Sequence, residues 1–389
     1  MKILIISPGV FPVPAIRGGA VEYLIETLIS DYKLCNKHEV TLYTIYDKEN
    51  IGKKYLCNIR FIKTKNIFFR LGRIIRHCIN MISSNYIGNE YIYKVVKDIK
   101  KSKIEYDIII VENQPEYGPI LKKEKIKGKI VLHLHNDYLN INIKNAIEIK
   151  NSYDAILSIS NLINEQVKKI NSIKTKEIVL YNGVDINKFC NSRDTRKLRK
   201  NSNISVNDFV FMYSGRLVKE KGVKELIEAF NRIDRIKYNT KMLIIGRVTD
   251  KKYYNELLDI SNNNNDILFY KNVSYSKIQD YYSIANVGVI PSKCLEAFGL
   301  VVIEFFASSC PVIISNDGAM KELVNISGNN AIVVDSKKDF VLGLQKAMEL
   351  FLNMNSKEYN NCCTNAYKNS KFFTKENYLN NFLEIIERL

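Results

Sequence analysis

The stretch 287–314, VGVIPSKCLEAFGLVVIEFFASSCPVII, holds a strand, a loop, a helix and a second strand. Val287–Ile290 is an apolar run of strand length that stops at Pro291-Ser292. Leu300–Ser309 is apolar around most of its circumference, as a helix buried on a sheet is, and Pro311–Ile314 is another short apolar run. Strands joined through a helical crossover run parallel. Two carboxylates interrupt the pattern, Glu296 in the loop and Glu304 inside the helix, among Val301, Val302, Ile303, Phe305 and Phe306. Burying a carboxylate is costly unless it has a partner. For Glu304 that partner is either a pair of sugar or ribose hydroxyls or a structural salt bridge. Phe298-Gly299-Leu300 forms the helix entrance, where free backbone N–H groups and the helix dipole favour an anion.

The same alternation extends in both directions. Upstream come strands Phe209–Tyr213, Met242–Ile245 and Ile267–Phe269, with helices Gly222–Ile233 and Tyr253–Ile260. Downstream come strand Ala331–Val333 and helical stretches from about Asp339 to Met354 and Lys375 to Leu389. The N-terminal half repeats the scheme. Lys2–Ser7 is an apolar run, followed by a loop with Gly18-Gly19 and an amphipathic helix from about Ala20 to Leu34. His38–Tyr46, Asp107–Val111, Lys129–His135, Ala155–Ile159 and Ile178–Tyr181 read as further strands, with Ser160 as a helix N-cap and Asn182-Gly183 as a turn. Cys190–Asn207 is polar and charged with almost nothing apolar, and reads as a linker. The expectation is an α/β protein of two doubly wound, Rossmann-like domains, residues 1–190 and 191–370, with a helix in 371–389 packing back on the first. Ligands of such sheets bind beyond the carboxyl ends of the strands.

Composition limits the function classes. The chain has 389 residues, 46% hydrophobic and 25% charged, a balance that excludes a disordered or fibrous protein. No run of eighteen apolar residues suits a transmembrane helix, and Ile3–Ile6 is too short for a signal-peptide core. Eight cysteines without a CxxC pair read as reduced thiols of a cytoplasmic chain. The net charge of +17 invites an anionic partner. Residues 1–190 carry 30 Lys+Arg against 19 Asp+Glu, and the rest 28 against 22. Between Glu49 and Glu90 there is no acidic residue. That window holds Lys53, Lys54, Arg60, Lys63, Lys65, Arg70, Arg73 and Arg76, interleaved with Ile67, Phe68, Phe69, Leu71, Ile74 and Ile75. Such alternation suits peripheral contact with an anionic membrane and equally suits a lysine-rich surface loop and helix.

Further motifs lie at strand ends. Tyr213-Ser-Gly-Arg-Leu-Val-Lys-Glu-Lys-Gly222 closes a strand and opens a helix; Gly215 permits a close turn, and Arg216 and Lys221 are two cations beside it. Cations there would compensate a diphosphate leaving group as its bond breaks; as a bare strand–helix turn they would be surface charges. His133-Leu-His135-Asn-Asp137 ends a strand, so both imidazoles share one side; His135 is favoured to reach a cleft and His133 to be packed behind it. Asp137 reads as a helix N-cap or an acceptor-side carboxylate. Glu112-Asn-Gln-Pro-Glu116-Tyr117 also follows a strand, as a capped turn or an acceptor-binding rim.

Together these residues resemble the signature of retaining family 4 glycosyltransferases of GT-B fold, of the bacterial cell-envelope and polysaccharide type. Glu296-x7-Glu304 with Phe298-Gly299 inside it, preceded by Pro291-Ser292, carries most of the likeness. Gly18-Gly19-Ala20-Val21-Glu22 is similar to the family's Gly-Gly-Ala-Glu loop with Val21 inserted. Asn182-Gly-Val-Asp185 matches a segment at the end of its first domain, and Gly318-Ala-Met-Lys-Glu322 resembles its Gly-Gly-x-x-Glu turn. The resemblance implies that two domains face a central cleft. Glu304 would hold the donor ribose, and Arg216 and Lys221 the diphosphate, with the Gly19 backbone on the opposite domain. Glu296, Phe298, Gly299 and Leu300 would contact the transferred sugar and its phosphates. The base would lie by the loop Tyr270–Val273, and His135 near the donor sugar and acceptor. Leu295-Glu296-Ala297 departs from the family's common Glu-Glu-Pro, which bears on sugar preference.

The expected activity is transfer of a hexose, glucose or N-acetylglucosamine, from a UDP-sugar to a hydroxyl of a glycan or lipid-linked acceptor. The catalytic group is His135, Glu296, Arg216 and Lys221. The donor-binding group is Gly18, Gly19, Gly215, Arg216, Lys221, Val273, Glu296, Phe298, Gly299, Leu300 and Glu304. No cofactor and no metal are expected, because no Asp-x-Asp occurs to clamp a metal diphosphate. The expected location is cytoplasmic, at the inner face of the membrane. A nucleotide-sugar epimerase of the same fold is the alternative. A dinucleotide oxidoreductase lacks its G-x-G-x-x-G after the first strand, and a nucleic-acid binder would leave Glu296 and Glu304 unexplained.

Overall fold

The structure, a computed structural model, describes residues 1–50, 54–64, 89–172, 174–190, 195–234, 236–262, 264–274 and 277–389. The chain forms two compact units, one of Met1–Asn182 with Tyr378–Leu389 and one of Gly183–Asn377.

The first unit contains β1 (Lys2–Ile6), β2 (Glu39–Ile45), β3 (Asn58–Ile62), β4 (Ile108–Glu112), β5 (Lys129–Leu134), β6 (Ala155–Ser158) and β7 (Lys176–Val179). They form one sheet in the order β3-β2-β1-β4-β5-β6-β7, with all neighbours parallel. β1 and β4 are continuous runs such as KILII and IIIVE because helices cover both faces, so neither face needs polar residues. Ile3, Ile5, Ile108, Ile110, Val131, Ala155 and Leu157 build one core layer. Helix Lys375–Arg388 presses Tyr378, Leu379, Phe382 and Ile386 into the same cluster, a stripe at helical spacing.

The second unit contains β8 (Phe209–Leu217), β9 (Thr240–Val248), β10 (Ile267–Lys271), β11 (Val287–Ile290), β12 (Val312–Ser315) and β13 (Ala331–Val334), in the order β10-β9-β8-β11-β12-β13. Both sheets thus show the doubly wound order, with one reversal next to the first strand of each unit.

Several local expectations change. The helix expected over Ala20 to Leu34 is two, Ala20–Ile29 and Tyr32–Lys37, because the Asp31 carboxylate accepts from Leu34 N (2.9 Å) and starts a new helix. Helix Ser356–Ser370, not anticipated from its polar sequence, is opened by an Asn355/Glu358 capping box and packs on helix Leu300–Ala307.

The sequence places the domain junction at Cys190; the units part at Asn182/Gly183 and again at Asn377/Tyr378. Gly183–Cys190 goes with the second unit because Val184 pairs with Thr374 and Phe189 is buried edge-on against Tyr282, 5.4 Å between ring centres. The polar stretch after it is anchored as well. The Arg199 guanidinium donates to Ser205 O, Asp208 O, Ile284 O and Asn286 Oδ1, which a reading by apolar content misses.

Of the acid-free window, Lys53, Lys65, Arg70, Arg73 and Arg76, with Ile67, Phe68, Phe69, Leu71, Ile74 and Ile75, lie outside the described residues. Among the described residues no helix is long and apolar enough to cross a membrane.

Candidate functional site

In doubly wound sheets the loops leaving the two strands that flank the reversal open a crevice. In the second unit these strands are β8 and β11. The loop after β8 turns through Lys219–Lys221 to Gly222, at φ 68, which starts helix Val223–Asn231. A Cβ on Gly222 would stand 1.9 Å from Pro291 O, so only glycine lets this loop lie against the loop after β11. The contact sets Lys221 Nζ on Glu296 Oε1 at 2.5 Å, and Ser292 Oγ donates to the same oxygen at 2.5 Å. The Glu296 backbone is fixed from the other side: Ala319 N donates to Glu296 O at 2.7 Å, and Gly318 (φ 92) bridges to Glu296. Arg216 is exposed at the end of β8, and its guanidinium has no ion-pair partner among the described residues. The sequence gives Glu296 and Lys221 separate ligand roles; the structure pairs them directly.

Gly299, at φ 110, caps the start of helix Leu300–Ala307, with Phe298 buried beside it against Phe373. Four residues into that helix, Glu304 is 8% exposed. The Tyr282 hydroxyl donates to Glu304 Oε2 at 2.6 Å. On the other flank of β8, Gly215, Gly246, Arg247, Asn272 and Val273 line a pocket within the second unit. Gly246 must lack a Cβ there, since one would approach Gly215 O to 2.3 Å.

The first unit repeats the plan between β1 and β4. Gly18 (φ 77) and Gly19 (φ 111) lead into helix Ala20–Ile29. A Cβ at Gly19 would strike the Glu22 carboxylate, which is buried and held by burial above the ordinary carboxylate range. At the ends of β4 and β5, the β-sheet register sets Glu112 opposite His133. His135 Nε2 lies 2.8 Å and His133 Nδ1 3.2 Å from Glu112 Oε2, with the imidazole centres 4.1 Å apart. All three side chains are buried. Burial, and secondarily the neighbouring His133, push His135 down to about 4, so it is neutral at pH 7. For Glu112, burial favours the neutral acid, but the two imidazoles outweigh it and hold the carboxyl well below its ordinary range. These three donors lie within 4.8 Å of one another and are the group, among the described residues, that could converge on a metal ion. Sequence reasoning did not link Glu112 to the histidines; the available signal was the position of all three at the ends of successive strands. Asp137 is not a helix cap. It accepts from Asn140 Nδ2 (3.1 Å) in a loop, and the next helix starts only at Ala146.

Two successive doubly wound α/β units are the domain content of the GT-B fold. The fold comparison agrees: the structure of Anabaena Alr3699/HepE in complex with UDP and glucose superposes with a TM-score of 0.74 at 20% identity, covering 100% of both chains. Residues 194–369 match the family model of group 1 glycosyl transferases. Spore coat protein SA of Bacillus subtilis is 24% identical over 350 residues, 86% of each chain. The capsular polysaccharide biosynthesis glycosyltransferase CapM of Staphylococcus aureus is 34% identical over 236 residues, 59% of this chain and 58% of its own. The match over residues 194–369, most of the second unit, makes that part of the chain similar to the group 1 glycosyl transferases.

Proposed function

We propose that the protein is a retaining, metal-independent hexosyltransferase that moves glucose or N-acetylglucosamine from a UDP-sugar to a hydroxyl of a glycan or lipid-linked acceptor. The observation that carries this reading is the cationic reversal point of the second unit, Lys221 held on Glu296 with Arg216 exposed close by in sequence. A uridine nucleotide is supported by the Anabaena Alr3699/HepE structure, a complex with UDP and glucose, and a glycan acceptor by CapM's role in capsular polysaccharide biosynthesis. Family 4 membership and retention rest on the sequence motifs.

In this reading the acceptor oxygen bonds to the anomeric carbon on the face from which the diphosphate leaves. The carbon–oxygen bond to the β-phosphate breaks, and the departing phosphate oxygen takes the acceptor proton. Arg216, Lys221 and the N–H groups at Gly299-Leu300 stabilise the charge that grows on the leaving group. Glu304 receives the ribose hydroxyls beside Tyr282, and Val273 borders the base. Glu296, Phe298 and Leu300 border the sugar. The acid-free window from Ile51 to Asn89 is, in the same proposal, a docking segment for anionic lipid, tested by co-sedimentation with phosphatidylserine vesicles. The test of the activity is a UDP-sugar screen by thermal shift, followed by transfer assays. Conversion of donor to an epimer without any acceptor would instead support the epimerase.

A further inference from the structure

β8 and β9 run on beyond the carboxyl edge of the second sheet. β10 pairs with β9 only as far as Gly246, whereas β8 and β9 stay paired through Leu217 and Val248. Each strand carries a Gly-Arg step in this extension, and the two are in register: Gly215 opposite Gly246 and Arg216 opposite Arg247. Residues directly opposed in neighbouring strands share a face, and like charges so placed repel. Both arginines are exposed, and among the described residues neither guanidinium has a hydrogen bond or an ion pair. Nearby cations do have carboxylate partners: Lys221 has Glu296, Lys224 has Glu256, and Lys241 has Asp266. Two unpaired guanidiniums side by side, at the edge where ligands of such sheets bind, are arranged for an anion that neutralises both.

From this we infer that Arg247 is a second guanidinium for the donor diphosphate, acting with Arg216. Arg247 also borders the pocket formed with Asn272 and Val273, so the anion it takes is one continuous with a ligand in that pocket. A diphosphate offers several oxygens, and two guanidinium forks can each take a pair of them. The inference rests on the proposed nucleotide-sugar reading for the identity of the ligand, but not for the existence of the anion site.

Calorimetry of the full chain with inorganic pyrophosphate, UDP and uridine tests it, using wild type, Arg247→Ala and Arg247→Lys. Arg247→Ala should weaken pyrophosphate and UDP by roughly tenfold or more, the effect of losing a charge-assisted hydrogen bond. Uridine binding should be unchanged, the lysine variant should recover part of the loss, and the melting temperature should stay near wild type. Unchanged pyrophosphate binding, or none by wild type, overturns the inference. So does an equal loss for uridine and UDP, which would make Arg247 a reader of the base. Wild type that binds pyrophosphate through Arg247 but no nucleotide sugar would keep the anion site and remove the proposed function.

Discussion

Lys221 Nζ donates to Glu296 Oε1 across 2.5 Å, tying the loop after β8 to the loop after β11. A third group completes the arrangement, because Ser292 Oγ donates to the same carboxylate oxygen. Ser292 is itself held, as its carbonyl accepts from Ser315 Oγ at 2.5 Å. The cation is therefore positioned before any ligand arrives, which is the condition for electrostatic stabilisation without reorganisation at the moment of reaction.

Glu304 and Tyr282 should separate binding from folding. Glu304→Ala should cut transfer by orders of magnitude while the circular dichroism spectrum persists. Tyr282→Phe leaves the carboxylate but removes its 2.6 Å donor, and should raise the KM for donor more than it lowers kcat. Near-normal transfer by purified Glu304→Ala would remove Glu304 from the site.

Gly318→Ala should damage both stability and activity. Gly318 lies at φ 92, and a Cβ there would stand 2.4 Å from Glu296 N and O. The strained backbone alone costs about 1–3 kcal/mol, and relieving the clash would shift Glu296. Urea unfolding should show a lower midpoint, and transfer should fall with it. A variant as stable and active as wild type would show that the turn does not fix Glu296.

The histidine cluster predicts a pH dependence of stability. His135 titrates at about 4 in the folded protein against 6.5 for an ordinary histidine. Between those values the unfolded chain binds a proton that the folded chain refuses, so stability falls as pH is lowered from 6.5 towards 4. Thermal melts of His135→Asn, which cannot charge, should flatten that part of the profile. An identical slope in wild type and variant would assign the acid sensitivity elsewhere.

Transfer should survive EDTA, because Arg216, Lys221 and the helix entrance at Gly299 carry the compensating charge in the proposed mechanism. Loss of activity that magnesium or manganese restores would replace this with a metal-assisted diphosphate. The cluster of Glu112, His133 and His135 would then be the first place to substitute.

The fold was legible where strands are short apolar runs, as in β1, β4, β11 and β12, and where the crossover is helical; β3 (NIRFI) was not anticipated, because Asn58 and Arg60 on its exposed side break the apolar run. Glu304 was visible for a related reason, as a carboxylate standing in an apolar helix. Side-chain pairing was not legible. Glu112 meets His133 only because β4 and β5 are neighbours in one register, and Lys221 meets Glu296 only because β8 lies beside β11. Neither adjacency is encoded locally in the residues concerned. The junction read at Cys190 differs from the boundary at Asn182/Gly183 because composition does not show that Val184 pairs with Thr374 or that Phe189 packs on Tyr282.

The most direct test is transfer from a panel of UDP-sugars by wild type and Lys221→Ala, both purified and folded. Wild type should transfer a hexose from one of them, and the variant should be slower by roughly a hundredfold, since each 1.4 kcal/mol of lost transition-state stabilisation is tenfold in rate. Equal rates for the two proteins, or no transfer from any UDP-sugar, would contradict a diphosphate site built on Lys221.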